Sequence, residues 1–522
     1  MKKSILITVI IALLVNLSYV TGSENESEGE NTKVYTVFLS QGYLHTGGPV
    51  EHPLTNEDVL NKLRDQCSGI DFIVRDLTQE DISRESLLDE MEESKENLDG
   101  VLIIGTLSQY KLAFTGLPTI VVWNLWEWDK SPYKLFARGG NVEEKTILKG
   151  GPEYEDGKII TAQIDRLQVS EPSRSEAMFE DLVDKIELIQ AIKKLKDTRI
   201  LSVSPHHNLA QVDYQGDVNK RMPEDYNETY MREVKEKLGV EIVRREPEEF
   251  YEAYEEADEN EAKKIAEKWM EEAMGVKAAK SEIIKTARAY LAFDALREKY
   301  DCNAVSTHMR SVTGSGEAED MFWPGLGLEC GFKTRGIQAV CQDYPNVLIA
   351  QLLGYYMTGR PSMLGDLMVD TENSFSILLH CGCPINPYGD ERRVPYVIRT
   401  HAESPLRETL KPGSSTGMQV FWPKGEPVTI WKVYPLLDKI GFHTGQTVDG
   451  YAHYENYKDI VCRNKLIAKV EDPENIQKHY FADSYGIHRA ATLGDLEERI
   501  KDLATLIGFE VMEEEQPLPA YK

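Results

Sequence analysis

The chain has 522 residues, with 59 Lys and Arg against 87 Asp and Glu, for a formal charge of −28. Hydrophobic residues at 41% and charged residues at 28% describe an ordinary globular composition and exclude fibrous and wholly disordered classes. The length allows about three domains. Its acidic field repels phosphate, so neither nucleic acid nor an anionic membrane surface is expected as a partner.

Met1-Lys2-Lys3 is a short basic start, residues 5–20 are almost unbroken apolar sequence, and Val20-Thr21-Gly22 offers small or apolar residues where a signal peptidase reads. Residues 1–22 are read as a secretory signal cleaved near Gly22, in preference to an uncleaved anchor, because the run is short for a span of about 20 residues. Residues 23–33 form an acidic tether. The mature chain is expected to be exported, periplasmic or extracellular, and free of the membrane after cleavage; a cytoplasmic location follows only if the signal reading fails. Seven cysteines are too few for a disulfide scaffold, and an odd number leaves at least one unpaired within a chain.

A first α/β domain is expected over 34–195. Residues 34–39, 72–74, 101–104 and 119–123 read as short buried strands, 80–98 as a charged helical stretch and 175–195 as a closing helix. A second α/β domain, 196–361, starts with strand 200–203 and a turn carrying His206-His207. It continues through a charged helical region over 224–300, strands at 303–307 and 337–340, and a buried helix over 347–357 stopped by Gly359 and Pro361. From 362 to 522 the texture changes to short alternating runs at 375–379, 394–399, 419–422, 428–433 and 466–470, with a final helix over 493–506. The fold class expected is therefore α/β, two Rossmann-like α/β domains followed by a carboxy-terminal antiparallel β domain.

Several motifs fail on context. Gly413-Ser414-Ser415-Thr416-Gly417 matches G-x-S-x-G, but a polar loop precedes it and a strand follows, the reverse of a nucleophile elbow. Gly325, Gly327 and Gly331 do not have dinucleotide spacing and are expected to make turns. Cys381 and Cys383 flank Gly382 beside His380 without a second cysteine pair to complete a zinc site, and His206-His207 reads as a polar turn. The block 336–384 is more informative: a strand ending at Cys341-Gln342, a buried helix, Asp366 among apolar residues, then His380 after another strand. Strand ends at a domain junction are where ligands gather. A buried carboxylate there needs a cation or several donors, so Asp366 marks either a metal or polar site or a structural carboxylate held by backbone donors.

This block resembles the L-fucose isomerases and, more distantly, the L-arabinose isomerases. Cys341, Thr358-Gly359-Arg360-Pro361, Asp366 and His380-Cys381-Gly382 stand at the family's spacing. Gly425-Glu426-Pro427-Val428-Thr429, Cys462-Arg463, and Lys478-His479-Tyr480 with Tyr485-Gly486 resemble later motifs. The likeness is clearest from about residue 300 onward. It implies metal-dependent aldose–ketose isomerisation of a small-molecule sugar through an enediol, with Mn2+ or Mg2+ as cofactor. It also implies a homo-oligomer, trimer or hexamer.

Carried over by position, Gln342 and Asp366 are the catalytic pair, and Gln342, Asp366, His380 and His479 the metal ligands. Gln342 stands where the family has Glu and Tyr344 where it has Asp. An amide oxygen can ligate a cation but cannot accept a proton at neutral pH, and Asp343 could stand in only if the backbone turns it inward. The alternative reading is a non-catalytic exported descendant that binds a sugar. The amino-terminal reading is checked by sequencing the protein recovered from its native host: a mature terminus near Ser23 is expected, and a retained Met1 in a cytoplasmic fraction would refute it.

Overall fold

A computed structural model describes residues 30–39, 54–80, 82, 84–105, 110–124, 158–166, 168, 171–204, 209, 225–308, 325–389, 392–401, 415–454, 459, 462–482 and 486–518. Five strands, β1 (Thr32–Phe38), β2 (Ile70–Asp76), β3 (Gly100–Ile104), β4 (Thr119–Asn124) and β5 (Ile159–Ile164), form a parallel sheet in the order β2-β1-β3-β4-β5. Helices cover parallel sheets, so central strands are apolar throughout: all five residues of β3 are buried. The helix Pro172–Lys196 packs here, burying Phe179, Leu182, Ile186, Ile189 and Ile192. Strand β5 and the helix Asn56–Gln66 have no counterpart in the sequence reading. Thr161 and Gln163 interrupt the apolar run of β5, and the helix is marked chiefly by its Thr55–Asp58 capping box.

The region read as helical over 224–300 is broken in the structure. Following β6 (Arg199–Val203) come the helix Tyr226–Leu238, strand β7 (Glu241–Arg245), helices Pro247–Glu256 and Glu259–Glu272, strand β8 (Gly275–Val276) and helix Lys280–Lys299. Gly239 at φ 76° ends the first helix, and Pro247 opens the next at its amino-terminal turn. With β9 (Ala304–Thr307) and β10 (Ala339–Val340), a second parallel sheet runs β10-β9-β6-β7. Gly325, Gly327 and Gly331 are not turn residues; they lie in a helical segment that includes the π-helix Gly327–Phe332. A Cβ on Gly327 would sit 2.9 Å from Tyr290 Cβ, so its bare backbone permits close approach to the helix Lys280–Lys299.

The remaining strands are β11 (Met363–Asp370), β12 (Phe375–His380), β13 (Tyr396–Thr400), β14 (Thr416–Val420), β15 (Pro427–Tyr434), β16 (Lys439–Thr447), β17 (Asn464–Lys469), β18 (His488–Leu493) and β19 (Glu510–Glu513). Seven pair in the order β15-β18-β11-β12-β17-β16-β19, and a further β15–β16 pairing closes six of them into a barrel. All these pairings are antiparallel except β16–β19, which is parallel, so the carboxy-terminal sheet is mixed and largely antiparallel. Strands β13 and β14 stand apart, joined by β8 from the preceding α/β region. The last helix is Glu497–Ile507; Leu493 closes β18, and Gly494 turns the chain at φ 125°. Among the described residues no helix is long and apolar enough to cross a membrane. The segment read as a signal lies outside them.

A buried charge network holds β19 to the barrel. Glu514 Oε2 lies 2.6 Å from His443 Nδ1, its Oε1 2.9 Å from Arg489 Nη2, and His443 Nε2 lies 2.8 Å from Ser376 Oγ. Burial pushes the Glu514 carboxyl up, but Arg489 and the His443 hydrogen bond outweigh it and hold it at about 2, against an ordinary 4.5. A depressed carboxyl stabilises the fold above its unfolded-state value and loses that contribution as pH falls through 4.5 toward 2. The stability gap between wild type and Glu514→Gln, measured by urea unfolding, should be about 3 kcal/mol near neutral pH and shrink toward zero near pH 2.

Candidate functional site

The carboxyl end of β10 runs into Cys341-Gln342-Asp343-Tyr344, and this segment meets the edge of the barrel where β11 lies between β18 and β12. Asp366 on β11 pairs across the sheet with His488 on β18 and with Leu379 on β12. Directly paired antiparallel residues share a face, so Asp366 and His488 are side by side. His488 Nε2 approaches Asp366 Oδ1 to 3.0 Å, off the line of a hydrogen bond. The Tyr344 ring packs against the His488 ring at 3.9 Å between centroids and 31°. This contact brings the Gln342 segment to the pair.

Burial would raise the Asp366 carboxyl, but the close approach of His488 and the electrostatic interactions with the His488 and His380 side chains hold it below the usual carboxylate range. Burial keeps the His488 imidazole below its ordinary value despite Asp366. At neutral pH the two are a carboxylate and a neutral imidazole, both lone-pair donors. Asp366 Oδ1 and Gln342 Oε1 are both buried without a hydrogen-bond partner. Each is an acceptor open to a donor or a cation. On the same row of the sheet, Lys465 on β17 stands across from Leu379; it is buried, and burial lowers its ammonium to about 8.

His380 ends β12 and turns toward sulfur. Its Nε2 lies 3.9 Å from Cys341 Sγ, its Nδ1 3.9 Å from Cys381 Sγ and 3.3 Å from Gly382 O. Glu329, fully buried in the π-helix, reaches to 3.9 Å from His380 Nδ1 and 3.4 Å from the Cys341 amide. Its charge is matched by Lys333 at 2.5 Å, which also donates to Ser362 O at 2.8 Å.

Two further residues of interest are held by other partners. Asp343 is turned away from Asp366: its carboxylate accepts from Ser202 Oγ on β6 at 3.0 Å and from Ser306 Oγ on β9 at 2.5 Å. Backbone direction therefore excludes it as a stand-in base. His479, on the helix Pro473–Ala482, lies with Nε2 2.9 Å from Gln516 O, has a buried and unpartnered Nδ1, and makes no hydrogen bond or ion pair with Asp366. The imidazole beside Asp366 is His488. Its signal in the sequence is position alone, first in the strand after Tyr485-Gly486. His206-His207, with Gly413 and Ser414, lie outside the described residues.

No family model matches the chain, and no curated protein matches it. Among solved structures, an ABC transporter solute binding protein from Bacillus halodurans C-125 with bound myo-inositol matches at 14% identity. It covers 64% of this chain and 92% of that chain with a TM-score of 0.15, too low to carry any argument.

The side-by-side geometry is checked with ring-labelled histidine. Asp366→Asn should displace the His488 resonances and lower that residue's pKa further, since Asp366 raises it. The His479 resonances should stay in place. The reverse pattern would refute the arrangement.

Proposed function

We propose that this chain is a divalent-metal-dependent aldose–ketose isomerase acting on a free sugar outside the cytoplasm. The observation that supports it best is the ionised Asp366 beside the neutral His488, with unsatisfied buried oxygens on Asp366 and Gln342. These residues fit a cation: the buried oxygens of Asp366 and Gln342 have no hydrogen-bond partner, and the His488 imidazole lies 3.0 Å from Asp366. Two oxygens and one imidazole suit manganese or magnesium. The ion would supply charge stabilisation to the adjacent oxygens of the sugar. The motif likeness of residues 336–384 points the same way. Export rests on the basic start and apolar run at residues 1–22.

In this reading Asp366 takes the proton from one carbinol carbon and returns it to the neighbouring carbon. The hydroxyl proton passes between the two oxygens, so the step is redox-neutral overall. His488 positions the Asp366 carboxylate, and the Tyr344 ring holds His488 in place. Gln342 can orient but cannot carry a proton, which leaves one carboxylate where two would share the work.

That amide favours a second reading, an exported protein that binds a sugar without transforming it. Incubation with manganese and a panel of aldoses and ketoses in deuterated water separates the two. Isomerisation predicts exchange of the C2 proton, reduced by about 10²–10⁴-fold in Asp366→Asn and increased in Gln342→Glu. Sugar binding with no exchange in wild type or Gln342→Glu would establish the binding protein instead.

A further inference from the structure

Cys341, His380 and Cys381 are brought together from the ends of β10 and β12, with one ligand atom from each lying within 4.8 Å of the others. All three are buried, at 0%, 2% and 5% exposure. We infer that they form a second cation site, distinct from Asp366 and His488 and selective for a thiophilic ion such as zinc(II).

The distances favour a shared ion over a disulfide. Cys341 Sγ and Cys381 Sγ are 3.4 Å apart, far beyond the roughly 2.05 Å of an S–S bond. Bonds of about 2.3 Å to sulfur and about 2.0–2.1 Å to nitrogen at tetrahedral angles separate sulfur from sulfur by about 3.8 Å and sulfur from nitrogen by about 3.5 Å. The sulfur pair at 3.4 Å and His380 Nε2 at 3.9 Å from Cys341 Sγ are within a few tenths of an ångström of those values, and the imidazole nitrogen shared by both sulfurs lies within 4.8 Å of each, so the ring must turn to bind.

The surroundings have the form that orients a ligating imidazole. A metal-bound His gives its other ring N–H to a backbone carbonyl or carboxylate. His380 Nδ1 has Gly382 O at 3.3 Å and Glu329 Oε1 at 3.9 Å as acceptors, so an N–H there frees the Nε2 lone pair, which lies 3.9 Å from Cys341 Sγ. Lys333 neutralises Glu329, so two thiolates and a divalent cation would leave this buried region uncharged, as burial demands. Gly325 keeps the space open, since a Cβ there would come within 2.9 Å of Cys381 Sγ. Binding breaks two S–H bonds, forms two metal–sulfur bonds and releases two protons to solvent, with no change of oxidation state. His380, expected beside Asp366 from the family likeness, is on this inference committed to sulfur.

The test uses the reduced full-length chain and cobalt(II) as the probe. One equivalent should bind with intense thiolate-to-cobalt charge-transfer absorption in the near ultraviolet, removed by one equivalent of zinc(II). Cys341→Ala and Cys381→Ala should each abolish the band, while Asp366→Asn, which would remove a manganese site at Asp366, should retain it. A native chain that shows no band overturns the inference, whatever the variants do. So does a band that survives both cysteine variants or disappears with Asp366→Asn. A Cys341–Cys381 disulfide in protein isolated without reductant overturns it as well.

Discussion

Strand β11 runs antiparallel between β18 and β12, in a register that sets Asp366 opposite His488 on one side and Leu379 on the other. A slip of one residue would turn every side chain of β11 to the opposite face, putting Asp366 into the apolar cluster of Met363, Leu367 and Leu378. That cluster fixes the register. The carboxylate faces the imidazole because its strand neighbours have nowhere else to go. Gly365 contributes through size, since a Cβ there would lie 2.8 Å from Leu378 Cβ on the adjacent strand.

The second support is the buried Glu329–Lys333 pair. Removing either partner would strand a charge in the core at a cost of about 3–5 kcal/mol. The pair therefore ties the π-helix to Ser362 just before β11, and to the Cys341 amide just after β10. These are the two segments that deliver the candidate ligands. A helix normally aligns i and i+4 side chains along one face. Here the wider π-turn does so inside the core, where the pair meets backbone groups of other elements rather than water.

Hard and soft donors divide along the same short stretch. The Gln342 side-chain oxygen is buried without a hydrogen-bond partner, while the preceding Cys341 presents sulfur toward Cys381, and Asp343 turns back to Ser202 and Ser306. Three consecutive side chains at a bend in the chain thus serve three environments. Chemistry at one can be altered without dismantling the next, which is why the two cation readings separate experimentally.

Strand and helix character, the α/β order of the first two sheets and the β texture after residue 362 were legible in the sequence. Each rests on local periodicity that burial imposes on a strand or helix face. Elements with mixed patterns, such as β5 and β7, were not legible, because their polar residues sit at sheet positions that only neighbouring strands define. Asp366 stood out as a carboxylate in apolar sequence, and Gln342 as the residue after a strand end. Which histidine meets Asp366 was beyond sequence, since His479 and His488 lie nine residues apart in chemically similar surroundings. Pairing of β18 with β11 selects His488, and helix direction sends His479 to Gln516. Composition and local pattern determined what kinds of elements this chain makes; long-range strand pairing alone decided which side chains meet, because contacts between residues far apart in sequence leave no local periodicity to read.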